Sequence, residues 1–112
     1  MLKAKCHCGN VELTATKLPE SLNSCQCSVC YRYGTLWAYY QPEEVDIKFN
    51  TEPTKTYSWL DHVIDFHHCP VCGCLTHYTS TDKTDWECTA INARMAGPDV
   101  VSKIPIRESE GP

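Results

Sequence analysis

The sequence has no apolar run approaching the ~20 residues that a membrane-crossing helix requires. Its opening, "MLKAKCHCGN", lacks the apolar stretch and small-residue cleavage site of a secretory signal, so none is expected. Basic clusters are missing too. Lys3, Lys5, Lys17, Lys48, Lys55, Lys83 and Lys103 are scattered, and the formal net charge is -4. Nucleic-acid binding needs a basic face, so no nucleic-acid partner is expected, and no membrane partner either. Internal repeats, low-complexity tracts and long helical patterns are also absent. What remains is a chain of 112 residues, a size that suits one domain, with 42% hydrophobic residues for a modest core.

Cysteine is what the chain has in excess. There are nine, an odd number that disulfides alone cannot use up. With no secretory signal expected, a reducing, cytoplasmic setting is expected, where clustered cysteines more often hold metal than pair. The thiols fall into groups. "CHCG" carries Cys6 and Cys8, "SCQCSVC" carries Cys25, Cys27 and Cys30, and "CPVCGC" carries Cys69, Cys72 and Cys74, with Cys88 apart.

The residue pattern around these groups is mainly that of strands. "LKAKC" and "VELTAT" alternate apolar and polar residues on either side of Gly9 and Asn10, which predicts a hairpin over residues 2–16 with Cys6 and Cys8 at its tip. "KLPESLN" reads as a loop. "SVCYRYG" predicts one or two helical turns closed by Gly34. "TLWAYYQ", "DIKFN", "KTYSWL", "HVIDFHHC", "CLTHYTS", "WECTAIN" and "KIPIR" read as further strands, and "GPDV" as a short helical turn. The polar tail "RESEGP" is expected to fray. The fold class expected is mainly β, small antiparallel sheets stapled by zinc with only short helical turns, as a single zinc-binding domain over residues 1–112.

Cysteine spacing predicts two metal sites. "CPVCG" has the form of a zinc knuckle, whose turn aims two sulfurs inward and uses glycine for positive φ. Two sulfurs are half a tetrahedral site, and "CHCG" on its hairpin tip is the natural other half. Cys6, Cys8, Cys69 and Cys72 would then close a four-thiolate centre. Buried free thiols or a redox C-x-x-C pair are the alternatives, but flanking strands and proline argue against the redox motif. Cys27 and Cys30 lie at i and i+3 on one helical face, with Cys25 just upstream. Three sulfurs leave zinc an open position, as in catalytic sites. Alternatively Cys74, Cys88, His67, His68 or His77 completes the set.

In combination the motifs "CHCGNV", "CQCSVCYRYG", "FHHCPVCGC" and "INARM" span nearly the whole chain and resemble the glutathione-dependent formaldehyde-activating enzyme family, which includes centromere protein V. The resemblance implies a β-tent fold of small antiparallel sheets. It also implies two zinc ions, a structural one at Cys6, Cys8, Cys69 and Cys72 and a catalytic one at Cys25, Cys27 and Cys30. The reaction it implies joins glutathione and formaldehyde into S-hydroxymethylglutathione, so that zinc-dependent carbon–sulfur lyase chemistry on a thiol and a small aldehyde is expected.

Charge limits such a centre. Zinc with three thiolates is formally -1, from +2 and three times -1, and a substrate thiolate makes it -2. A cation nearby would help. Arg94 in "INARM" is the first candidate, as a bidentate partner for carboxylate, with a structural tie as its alternative role; Arg32 is second. Asn92 could orient a peptide amide or support its loop. Trp37 and Tyr39 share a strand face that either packs the core or walls a pocket, while Tyr40 takes the other face. Two competing readings remain. One is a non-catalytic zinc-stabilised binding module with both sites closed. The other is a relative of methionine sulfoxide reductases, with Cys88 as the cysteine off the metal.

Overall fold

The computed structural model describes residues 1–111. Ten strands and two short helices follow in the order β1 (Leu2–Lys5), β2 (Val11–Ala15), β3 (Leu22–Cys25), α1 (Ser28–Tyr33), β4 (Trp37–Tyr40), β5 (Val45–Phe49), β6 (Lys55–Ser58), β7 (Ile64–His68), β8 (Leu75–Ser80), β9 (Thr89–Asn92), α2 (Pro98–Val101) and β10 (Ile106–Ser109). The protein is therefore mainly β, as the alternation predicts. The strands form a three-stranded sheet, β1-β2-β5, and a seven-stranded sheet, β10-β3-β4-β9-β8-β7-β6. No helix among the described residues is long and apolar enough to cross a membrane.

The first hairpin follows directly from its sequence. Leu2 and Ala4 point inward from β1, and Val11, Leu13 and Ala15 do so from β2, while Lys3, Lys5 and Glu12 face out. The register pairs Leu2 with Ala15 and Ala4 with Leu13, so the apolar faces coincide. Gly9 turns the tip at φ 83°, a region open to glycine, and its N–H bonds to the Cys6 carbonyl at 3.0 Å. Chain 69–74 repeats this turn: the Gly73 N–H donates to the Cys69 carbonyl at 2.8 Å, with φ 81° at Gly73.

Strand β4 divides the interior. Ala38 and Tyr40 face a core with Leu2, Val11, Leu13, Leu22 and Ile91. Trp37 faces the other way, into a second cluster with Phe66, Leu75, Tyr78 and the sulfurs of Cys25, Cys27 and Cys30. The Trp37 and Tyr78 rings meet edge-on at 4.8 Å between centroids. The three-cysteine group is thus built on the face of the large sheet opposite the main core.

Four local expectations need correction. The segment 17–23 is not all loop, because Leu22 begins β3 and is fully buried, and that strand delivers Cys25. The tail does not fray over its described part. Ile106–Ser109 pairs with Leu22–Cys25, and Ser109 accepts from the Gln26 N–H at 2.7 Å. Pro112 lies outside the described residues. This pairing is parallel, so the large sheet is not wholly antiparallel. Finally, "WECTAIN" is a strand only from Thr89, and Trp86 sits in the preceding turn, partly exposed. In the first three cases backbone bonds between remote segments, β3 and β10, override the local polar pattern.

Two histidines serve the sheet. His67 and His77 are paired across β7 and β8 and stack at 4.2 Å. His67 is hydrogen-bonded at both ring nitrogens, by Thr54 and Thr79 at 2.8 Å each, and Thr76 holds His77 Nδ1 at 2.7 Å. Burial, and then the neighbouring His67, hold the His77 pKa down at about 3. An unfolded histidine takes a proton near pH 6.5, whereas folded His77 stays neutral until about pH 3. Its contribution to stability is therefore fully present above pH 6.5 and is lost as pH falls from there, by at most about 1.4 kcal/mol per pH unit. Melting of wild type and His77→Gln at pH 7 and pH 5.5 should show the smaller acid loss in the variant. Equal losses would remove His77 from the account.

Candidate metal centres

Two hairpin-like turns bring Cys6, Cys8, Cys69 and Cys72 together. Their sulfurs all lie within 4.8 Å of one another. Cys6 and Cys8 are 3.7 Å apart, and Cys8 and Cys69 are 3.6 Å apart. Tetrahedral zinc with Zn–S bonds near 2.3 Å requires sulfurs about 3.8 Å apart, so the set fits that ion. Backbone N–H groups already point at the sulfurs, from Val11 to Cys6 at 3.3 Å and from Val71 to Cys69 at 3.4 Å. Burial works against ionising Cys72, but the backbone N–H groups of Cys74 and Cys8 outweigh it and bring the thiol down to about 6. Burial likewise opposes ionisation of Cys69, and donors from Cys72 and Asn10 carry it below the usual range.

Asn10 is a residue that sequence reasoning used only as a turn former. Its side chain is buried and joins three segments. Oδ1 accepts from Thr51 N at 2.7 Å and Glu52 N at 3.0 Å, and Nδ2 donates to the Glu52 carbonyl at 2.8 Å and to Cys69 Sγ at 3.5 Å. Its place after Gly9 in "CHCGN" was the available signal.

The second group gathers Cys25 from the end of β3 with Cys27 and Cys30 from the start of α1, again with all sulfurs within 4.8 Å. Cys27 caps α1, its sulfur accepting the Cys30 N–H at 3.4 Å. Burial disfavours its ionisation, but that bond from Cys30 leads the donors that lower its pKa. Cys30 is pushed up by burial, which outweighs the hydrogen bond from Trp37 Nε1 at 3.4 Å. Among the described residues no fourth His, Cys, Asp or Glu joins this group. Gly111 approaches it closely. A side chain there would meet Cys27 Cβ at 2.8 Å and Cys25 Sγ at 2.9 Å.

The sulfurs sit between two cavities. A larger one of about 380 Å³ is walled mainly by aromatic and aliphatic side chains, Trp37 and Tyr39 among them. A smaller one of about 130 Å³ is bordered by Cys25, Cys30, Thr35 and Arg94. The Thr35 hydroxyl is buried without a partner among the described residues, and sequence reasoning passed over it.

A family model described as glutathione-dependent formaldehyde-activating enzyme matches residues 1–99. The chain belongs to this formaldehyde-activating family. A crystal structure of a Rhodobacter sphaeroides protein shares the fold, at TM-score 0.74 and 22% identity, covering 95% of this chain and 100% of that one. No curated protein sequence matches the chain.

The remaining candidates of this family member divide clearly. Arg94 is exposed and donates from Nε to the Gly34 carbonyl at 2.6 Å, tying the end of α1 to the turn after β9. Asn92 supports loops: it accepts from Leu36 N and Arg94 N and donates to the Leu75 carbonyl at 2.8 Å. Arg32 bonds back to Ser28 within α1, and borders neither of the cavities at the sulfurs. His67, His68 and His77 join neither sulfur group, nor do Cys74 and Cys88. The Cys88 thiol is raised by burial, which is the wrong direction for the nucleophile that a sulfoxide reductase needs.

Proposed function

We propose that residues 1–112 act as a single zinc-binding domain and a carbon–sulfur lyase-type enzyme. It joins a thiol to a small aldehyde, or splits their adduct, at Cys25, Cys27 and Cys30. The observation that carries this reading is the contrast between the two groups. Four sulfurs converge at Cys6, Cys8, Cys69 and Cys72, while three converge beside a cavity. Four thiolates complete a structural zinc, and three leave a position for a reactant. When bound there, zinc supplies a place at which a substrate thiol readily gives up its proton. A reducing compartment such as the cytoplasm would keep the nine thiols available.

The reactant classes follow from the family's description, a thiol of the glutathione kind and an aldehyde of the formaldehyde kind. In the forming direction the thiolate sulfur bonds to the carbonyl carbon. The π pair moves to oxygen, which ends with the proton that the thiol lost. In this reading Trp37 Nε1–H and the Cys30 backbone N–H hold the cluster sulfurs in place. Arg94 and the unpartnered Thr35 hydroxyl, both bordering the smaller cavity, receive the growing charge on oxygen.

Zinc-edge X-ray absorption of the zinc-loaded protein tests this, with and without added thiol. One light-atom neighbour should be exchanged for sulfur, averaged over two ions. A spectrum with sulfur neighbours alone beforehand and no change on addition would replace this reading with the closed, non-catalytic module.

A further inference from the structure

The larger cavity at the three sulfurs has an unusual wall for a site that takes a charged tripeptide. All three tryptophans of the chain border it, Trp37, Trp59 and Trp86, together with Ile64, Phe66 and Tyr78. They come from separate places: Trp37 from β4, Trp59 from the β6–β7 turn, Trp86 from the loop before β9. Trp59 and Trp86 are partly exposed, so the fold holds large apolar rings at a surface where burial alone does not require them.

Charge points the same way. Glutathione carries two carboxylates and one ammonium. Among the described residues lining the cavity there is no lysine, arginine or histidine, and Asp61 adds a carboxylate. A three-thiolate zinc adds a formal -1. Arg107 lies over the Tyr39 ring at 5.9 Å from its centroid, but its Nε is engaged by Ser21 and it does not line the cavity. A carboxylate entering here would leave water without a partner, at a cost that apolar contact cannot offset. Asn23 also borders the cavity, and its buried Oδ1 has no hydrogen-bond partner among the described residues. That leaves an acceptor suited to a neutral N–H or O–H donor and not to a carboxylate.

We infer that the thiol handled at this centre carries an uncharged, apolar group of aromatic size, which fills the cavity while its sulfur reaches the cluster. The inference rests on the thiol-adduct reading and narrows its substrate class away from glutathione. The chemistry is unchanged: one C–S bond forms, the carbonyl pair moves to oxygen, and the thiol proton ends there.

Because every tryptophan borders the cavity, intrinsic emission reports its occupancy. The zinc-loaded full chain is titrated with benzyl mercaptan, glutathione and toluene, and zinc-edge spectra are recorded at saturation. Benzyl mercaptan should bind about a hundredfold more tightly than glutathione, the factor expected from desolvating one aromatic ring, and should add sulfur at the metal. Toluene should bind more weakly than benzyl mercaptan. Asp61→Lys, at an exposed position, should raise glutathione affinity severalfold and leave benzyl mercaptan nearly unchanged. Glutathione binding as tightly as benzyl mercaptan, with sulfur gained at zinc, overturns the inference and keeps the adduct reading. Tight benzyl mercaptan binding with no sulfur gained, or toluene binding equally well, overturns the adduct reading and with it the thiol assigned here.

Discussion

Cys69→Ser should lose one zinc and the cooperative melting transition together. Cys69 is fully buried, and its sulfur takes hydrogen bonds from Val71 N and Asn10 Nδ2. In the proposed assignment it binds the ion that joins the β1–β2 tip to the β7–β8 turn. Structural zinc contributes on the order of 10 kcal/mol or more of apparent binding energy in small domains. The net stability of a domain of this size is only roughly 5–15 kcal/mol. Losing most of the first quantity exhausts the second, so a partly destabilised fold is not the expected result. Metal analysis and circular dichroism melting check this in one preparation. A variant that keeps the wild-type melting curve would exclude the structural assignment.

Cys27→Ser should do the opposite, removing thiol–aldehyde adduct formation while keeping the fold. The serine hydroxyl can still cap α1, because serine is among the best residues at that position. The surrounding structure has other ties. Gln26 N bonds to Ser109, Gly34 N closes α1 on Cys30 and Tyr31, and Trp37 packs on Tyr78. The expected stability loss is about 1–2 kcal/mol, or roughly 5–10 °C in melting temperature. Adduct formation, followed by NMR of the hydroxyalkyl carbon, should fall to the uncatalysed rate, with one zinc per chain retained. Full activity in this variant would remove the second group from catalysis. Collapse of the fold would instead make both groups structural.

The two predictions separate because of where the sulfurs sit. The first group lies at tips of turns that belong to different sheets, so it carries long-range connectivity. The second group lies within a short stretch, 25–30, already anchored by β3 and α1 on the face opposite the main core.

Much of this was legible in the sequence. Apolar alternation gave the β1–β2 hairpin with Cys6 and Cys8 at its tip, and Gly34 closed α1 where expected. Cysteine spacing alone produced both groups that the fold brings together. The opposite facing of Trp37 and Tyr40 followed from strand periodicity. The misses share one cause. Leu22–Cys25 has little strand character in isolation, and the strand expected at "KIPIR" lies further along, at Ile106–Ser109 in the polar tail; the two form a pair because each supplies the other's backbone partners across some 80 residues. Asn10, Asn23 and Thr35 looked like ordinary polar residues, and their buried positions depend on segments remote in the chain.

What the sequence by itself determined is therefore local: which cysteines share a turn, which strand faces are apolar, and where glycine lets the chain reverse. These depend on φ preference and side-chain period, which act over a few residues. What only the tertiary structure decided is which loops meet at the second sulfur group. Trp59 and Trp86 reach the same cavity as Trp37 because β6, β7, β8 and β9 are laid side by side in that order. No local rule states that order. It comes from burying all the apolar faces at once, and it sets a cavity wall that is mainly apolar and, among the described residues, has no lysine, arginine or histidine.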